Sequence, residues 1–240
     1  MAVTPGRAEQ RFPGYDVTAA SDTWDPVTRR VVLGRLGAAG PLRFFTAEEA
    51  VTARALLDRL VAQDHEPWVS LLEPIDRRLA DRAGDGYRYA DMPEDPEAWR
   101  ESLVALDDEA RARHDLSFAE LASNQQMQVI ESIRTADGEW RGLPAKRVFS
   151  LWIRYACTAF YSHPWAWNEI GFGGPAYPRG YANLGIDRRE HWEVAERDAA
   201  DPIPWIKRRE SARGRHIDAM AADPTSPGPQ HDGPDPASRS

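Results

Sequence analysis

Apolar residues recur at spacings of three and four through most of the chain, the period of one helix face, while alternation at period two hardly occurs. Asp25-Pro26 marks a helix start, since proline is best tolerated at the first helical position. Thr46-Ala-Glu-Glu49 is a capping box, followed by a helical stripe of Val51, Ala55, Leu56, Leu60 and Val61. Residues 68–79 predict a shorter helix kinked at Pro74. Asp95-Pro96 opens the next, with Trp99, Leu103 and Leu106 on its apolar face. Ser117-Phe-Ala-Glu120 is a second capping box, leading through Leu121 to Met127, Val129, Ile130 and Ile133. After Pro144, Val148, Phe149, Leu151, Trp152, Tyr155, Ala156, Ala159 and Phe160 cover more than one helical face, which predicts the enclosed central helix of an all-α domain.

The pattern fades at both ends. Residues 1–23 mix proline and glycine without periodicity and read as a loose arm. Residues 24–197 are expected to form a single helical domain, closed by an irregular aromatic and glycine-rich segment. Residues 198–240 turn to Asp-Pro, Ser-Pro and Gly-Pro, and the last 20 or so carry almost no apolar side chains, so a largely disordered tail is predicted. Trp205 and Ile206 are the exception within it. No internal repeat is evident.

Composition narrows the function classes. The formal charge is −8 with acidic and basic residues interleaved, so no basic stripe supports nucleic-acid binding. No apolar stretch approaches the roughly 20 residues that span a bilayer. The lone Cys157 has no internal disulfide partner and sits in an apolar helical pattern, where it reads as a small packed residue. Thr28-Arg-Arg-Val-Val-Leu33 resembles a twin-arginine export signature, but Arg35, Pro41 and Arg43 interrupt the apolar run such a signal needs. The expectation is a cytoplasmic protein whose arginine pair lies on a helix; a periplasmic location would follow if Thr28-Arg29-Arg30 acts as a signal.

The most informative segment is residues 160–181, in which aromatic side chains alternate with glycine and proline. Ring-bearing side chains on a turn-filled strip must leave water, either beneath the domain itself or against a partner. Tyr and Trp suit a partner contact because each joins a large apolar body to a polar tip. Both readings stand at this point.

Recognisable equipment for redox, hydrolysis or phosphoryl transfer is missing. There is no Gly-x-Gly-x-x-Gly after a strand, no Cys-x-x-Cys-His, no His-Glu-x-x-His, no Gly-x-Ser-x-Gly and no phosphate-binding loop. The weak catalytic candidates are His163 and Glu169, which six residues of regular helix would set on opposed faces. His163, before Pro164, fits a helix cap, and no metal set is expected. Asn168 and Glu169 are expected to cap amides of the glycine turn formed by Gly171, Gly173, Gly174 and Pro175.

The stretch Tyr161-Ser-His-Pro-x-x-Trp-Asn-Glu-Ile-Gly-x-Gly-Gly-Pro, followed by Pro178-Arg-Gly-Tyr181, resembles the C-terminal signature of the gluconate 2-dehydrogenase subunit 3 family. Phe44-Phe-Thr-x-x-Glu49, and Phe118-x-x-Leu121 before Gln125-Gln126, are similar as well, so the likeness runs from about residue 44 to 193. The resemblance implies a small helical, non-catalytic subunit without a cofactor of its own. Its partner would be a large FAD-dependent dehydrogenase of the glucose–methanol–choline type acting on sugars or sugar acids, with a cytochrome c subunit in some assemblies. Such subunits help the flavoprotein mature, and those with a twin-arginine signal carry it across the membrane; the interrupted signal here departs from that pattern. On this reading Tyr161, Trp165, Trp167, Asn168, Tyr177, Arg179 and Tyr181 are the partner-binding candidates. The alternative of a different class is a free-standing enzyme or small-ligand binder with an aromatic pocket around His163.

Overall fold

The computed structural model describes residues 12–37, 40–63, 69–177, 180 and 194. All described residues belong to one compact unit, which lies within residues 1–197. That unit is all-α: α1 (Pro26–Gly34), α2 (Ala47–Leu60), α3 (Leu72–Ala80), α4 (Asp95–His114), α5 (Ser123–Thr135), α6 (Ala145–Tyr161) and α7 (Pro164–Ile170). A 3-10 helix covers Val17–Thr23 and a single 3-10 turn covers Phe118–Glu120.

Local chemistry accounts for the helix starts. Asp25 accepts from the amides of Val27 and Thr28 and caps α1. Thr46 Oγ1 accepts from the Glu49 amide at 3.1 Å while Glu49 returns the contact to the Thr46 amide at 2.8 Å. Helix α4 starts at Asp95-Pro96 and stops where Asp115 turns left-handed, at φ 58°. Before α2, the buried Asp76 of α3 accepts from three consecutive backbone amides, those of Arg43, Phe44 and Phe45, at 2.7, 2.9 and 2.9 Å. These bonds tie the entry of α2 to the middle of α3.

Helix α6 is the hub, packed against α2, α3, α4, α5 and α7. Trp152 and Tyr155 are buried at its centre, edge-on to Trp140 and Trp99 at 5.9 and 5.7 Å. The polar atoms of Trp152 and Tyr155 are paired, whereas the buried indole N–H groups of Trp99 and Trp140 have no hydrogen-bond partner among the described residues. The indole of Trp152 donates to Ser102 Oγ at 2.9 Å, which donates in turn to the Trp99 carbonyl at 3.0 Å. Tyr155 donates to Asp95 at 2.7 Å, and burial, then that hydrogen bond, push its phenol well above the usual range.

Several expectations need correction. Pro74 does not kink a helix; it lies in the first turn of α3, where its missing N–H costs nothing, and residues 64–68 lie outside the described residues. The Ser117–Glu120 box is made, but it closes one 3-10 turn, and α5 starts afresh at Ser123 with Gln125 accepting from the Ala122 amide. Val51 and Met127, placed on apolar stripes, are exposed. A two-residue hairpin, β1 (Glu139–Trp140) against β2 (Leu143–Pro144), was not foreseen. Its turn residues Arg141 and Gly142 both have positive φ, the geometry of a tight hairpin turn.

The largest difference concerns the arm. From residue 12 onward it is folded: Tyr15, Val17 and Trp24 are buried with Val32 and Trp167 in a second core, against which Phe12, Leu33 and Val194 pack. This small core is separate from the main one and joins the arm, α1 and α7.

Candidate functional site

The corner between α6 and α7 positions the aromatic strip. Helix α6 ends at Tyr161, and His163 caps α7 with Nδ1 accepting from the Trp165 amide at 3.1 Å. The proton of a neutral ring therefore sits on Nε2. Burial first, and the Arg35 charge second, hold His163 below the usual imidazole range. Arg35 reaches this corner from α1 and donates to the Ser162 carbonyl at 2.7 Å.

Helix α7 stops at Gly171, whose φ of 66° suits a residue without a side chain. The Phe172 amide donates to the Trp167 carbonyl at 2.9 Å and the Gly171 amide to the Asn168 carbonyl at 3.4 Å, the double closure of a left-handed helix stop. A Cβ on Gly171 would lie 2.7 Å from the Phe12 ring, and one on Gly174 would lie 3.0 Å from Val17. Gly171 and Gly174 thus serve close packing against the arm, while the half-buried Gly173 and Pro175 continue the turn.

The arm is bonded to the strip as well as packed on it. Asn168 Oδ1 accepts from the Val17 amide at 2.8 Å, and Tyr15 donates to the Phe172 carbonyl at 3.0 Å. The Trp167 indole donates to the Tyr161 carbonyl at 2.6 Å. Asn168 therefore binds both sides: its side chain holds the arm, and its backbone carbonyl accepts from the Gly171 amide. Sequence reasoning missed Phe12, Tyr15, Val17, Trp24 and Arg35. The available signal was the ring content of residues 12–24, to which the same argument about hidden aromatics applies.

The strip divides by burial. Trp165, Trp167 and Asn168 are buried within this chain. Tyr161, Ile170, Phe172 and Tyr177 are 50%, 44%, 41% and 71% exposed. Arg179 and Tyr181 lie outside the described residues. Among the described residues no hydrogen bond or ion pair joins His163 to Glu169, which sit at opposite ends of α7. Cys157 is half-buried on α6, and burial pushes its thiol up, away from the thiolate a nucleophile needs. No three His, Cys, Asp or Glu side chains among the described residues converge as a metal site. The two cavities of about 300 Å³ lie elsewhere, one beside Arg78, Tyr87 and Tyr155 and one beside Arg43, Glu73 and Asp81.

A family model described as gluconate 2-dehydrogenase subunit 3 matches residues 47–174, more than half of the chain. The chain belongs to the gluconate 2-dehydrogenase subunit 3 family. The match opens with α2 and closes at Gly174, so it takes in the main core, α7 and the glycine turn. The arm that completes the second core lies before it. No curated protein and no solved structure matches the chain. The family is named as one subunit of a dehydrogenase, which implies a partner subunit.

Proposed function

We propose that this chain is a non-catalytic binding subunit that stabilises or helps mature a large flavoprotein dehydrogenase of the glucose–methanol–choline type. That partner would hold the FAD and act on sugars or sugar acids, and a cytochrome c subunit would complete some assemblies. One observation carries the reading: in a family of dehydrogenase subunits, this chain bares Tyr161, Ile170, Phe172 and Tyr177 around one helix corner. Buried neighbours hold that corner stiff, and rigid aromatics at the centre of a contact contribute most of its energy. Arg179 and Tyr181 extend the same segment in sequence.

Assembly in the cytoplasm is part of the proposal. Arg29 is occupied within the fold, donating to the Ser21 carbonyl at 2.9 Å and pairing with Asp22, and the arginine pair belongs to a capped helix. Among the described residues no helix is long and apolar enough to cross a membrane. Fractionation of native cells checks the location, and recovery of the chain in the periplasm would overturn this part.

The partner is tested by affinity capture of the tagged full chain from native cells, with mass spectrometry and flavin absorbance on the eluate. A flavoprotein of the dehydrogenase class is expected in stoichiometric amount. The double change Tyr161→Ala and Tyr177→Ala should release it while helical circular dichroism is unchanged, since each true anchor contributes about 2 kcal/mol or more. Retention of the partner by that folded variant would reject the face. Sugar-dependent dye reduction by the purified chain alone, with added FAD, would reject the non-catalytic reading in favour of an enzyme built around His163.

A further inference from the structure

Every residue from 81 to 91, between α3 and α4, is exposed, yet the segment is tied down at regular intervals. Asp85 pairs with both Arg78 and Arg154. The Tyr87 ring lies 5.6 Å from the Arg154 guanidinium, and the Tyr89 ring lies 3.6 Å from that of Arg147. Asp91 faces Arg147 at 3.9 Å. The contacting positions are 85, 87, 89 and 91, although the backbone is not one strand: Gly86 is left-handed at φ 79°, and the Met92 amide closes a turn onto the Tyr89 carbonyl at 3.1 Å. Arg88 forms no ion pair with these groups and donates to the Met92 carbonyl at 2.8 Å. Arg147 and Arg154 are seven residues apart and share one face of α6. The strip therefore crosses that face antiparallel to the helix, acid and aromatic side chains meeting guanidinium groups in turn.

This attachment is weak in kind. Partly exposed ion pairs and exposed cation–π contacts each contribute little, and salt screens the former. A cavity of about 300 Å³ remains where the strip meets α3, α4 and Tyr155. With the strip lifted, Arg78, Arg147 and Arg154 would be left with Asp95 as the one carboxylate still paired among them, at 3.2 Å from Arg154. The exposed face would be cationic and lined by the Tyr155 edge.

We propose that the arginine face of α6, formed by Arg147 and Arg154 with Arg78, is a recognition site for a protein segment carrying closely spaced acidic and aromatic side chains, and that residues 85–91 occupy it as an internal competitor. The charge and spacing of the internal occupant define the external one. This site uses none of the exposed aromatics at the α6–α7 corner, so it stands or falls separately from the subunit contact.

The probe is a fluorescent peptide of residues 84–92 carrying Arg88→Gln, a change that removes a trypsin site. Its anisotropy is measured with the full wild-type chain and with the full chain bearing Asp85→Asn, Tyr87→Ser and Tyr89→Ser. The triple variant should bind at least about tenfold more tightly than wild type, because its own strip no longer competes. Adding Arg147→Gln, or salt at roughly 0.5 M, should abolish the gain. A triple variant with native helical circular dichroism that binds no better than wild type overturns the proposal. Binding that survives both Arg147→Gln and high salt overturns it too. A measurement on wild type alone covers the case of a variant that fails to fold. Excess peptide should speed tryptic cleavage after Arg88 in a saturable way by holding the strip off α6, and an unchanged cleavage rate rejects the proposal.

Discussion

Two residues show how much a single buried acceptor decides here. Asp76 serves three consecutive amides ahead of α2, so Asp76→Ala would leave three donors without a partner. The expected loss is about 2–4 kcal/mol, read as a lower denaturant midpoint. His163 is the second. It enters the fold neutral, as a cap acceptor held below its unperturbed value of 6.5. The unfolded chain thus takes up the proton first as pH falls, and stability present above 6.5 should decline from there down through the depressed folded value. His163→Asn keeps an acceptor at the cap and removes the titration, so its stability should lose that acid-side decline in urea titrations between pH 5 and 7. A slope equal to wild type would assign the decline to other groups. The capping role was legible from His163-Pro164 alone, because a cap is a local bond.

Elements were legible wherever their boundary chemistry is local. Thr46 with Glu49, Asp25 with Pro26 and Asp95 with Pro96 each start a helix with groups a few residues apart. The apolar run after Pro144 likewise announced α6, since a helix apolar over more than one face has to be packed on several sides. The 3-10 helix at Val17–Thr23 has a local cap in Asp16, but the bond that seats it in the fold is remote and was not legible: the Val17 amide is held by Asn168, 151 positions away. Gly171 follows the same logic. Its place in a helix stop was readable from sequence, but the reason it tolerates nothing larger is the Phe12 ring of the distant arm. Gly171→Ala combines a left-handed backbone with that contact and should cost about 1–3 kcal/mol, with loss of protection around α7 in hydrogen exchange. Exchange unchanged at α7 would mean that the arm yields at no cost.

At the scale of the whole molecule, the two cores have different standing. The main core is built around α6 from helices that follow the arm, whereas the second consists of arm, α1 and Trp167. Tyr161 and Phe172, on the exposed corner, are held by the second: the Tyr161 carbonyl accepts the Trp167 indole, and the Phe172 carbonyl accepts Tyr15. Loss of the arm should therefore loosen the proposed partner face without unfolding the helices beneath it. Trp24→Ala is the milder test, since a buried tryptophan truncated to alanine costs about 3–5 kcal/mol of local packing. The variant should keep most helical circular dichroism yet unfold in two steps, the first reported by hydrogen exchange at α1 and α7 and the second by the helices around α6. Capture of the flavoprotein should fall in parallel with the first step. Should Trp24→Ala instead unfold in one cooperative transition, shifted as a whole, the two cores would be a single thermodynamic body. Partner binding would then track global stability, and no separately adjustable corner would exist.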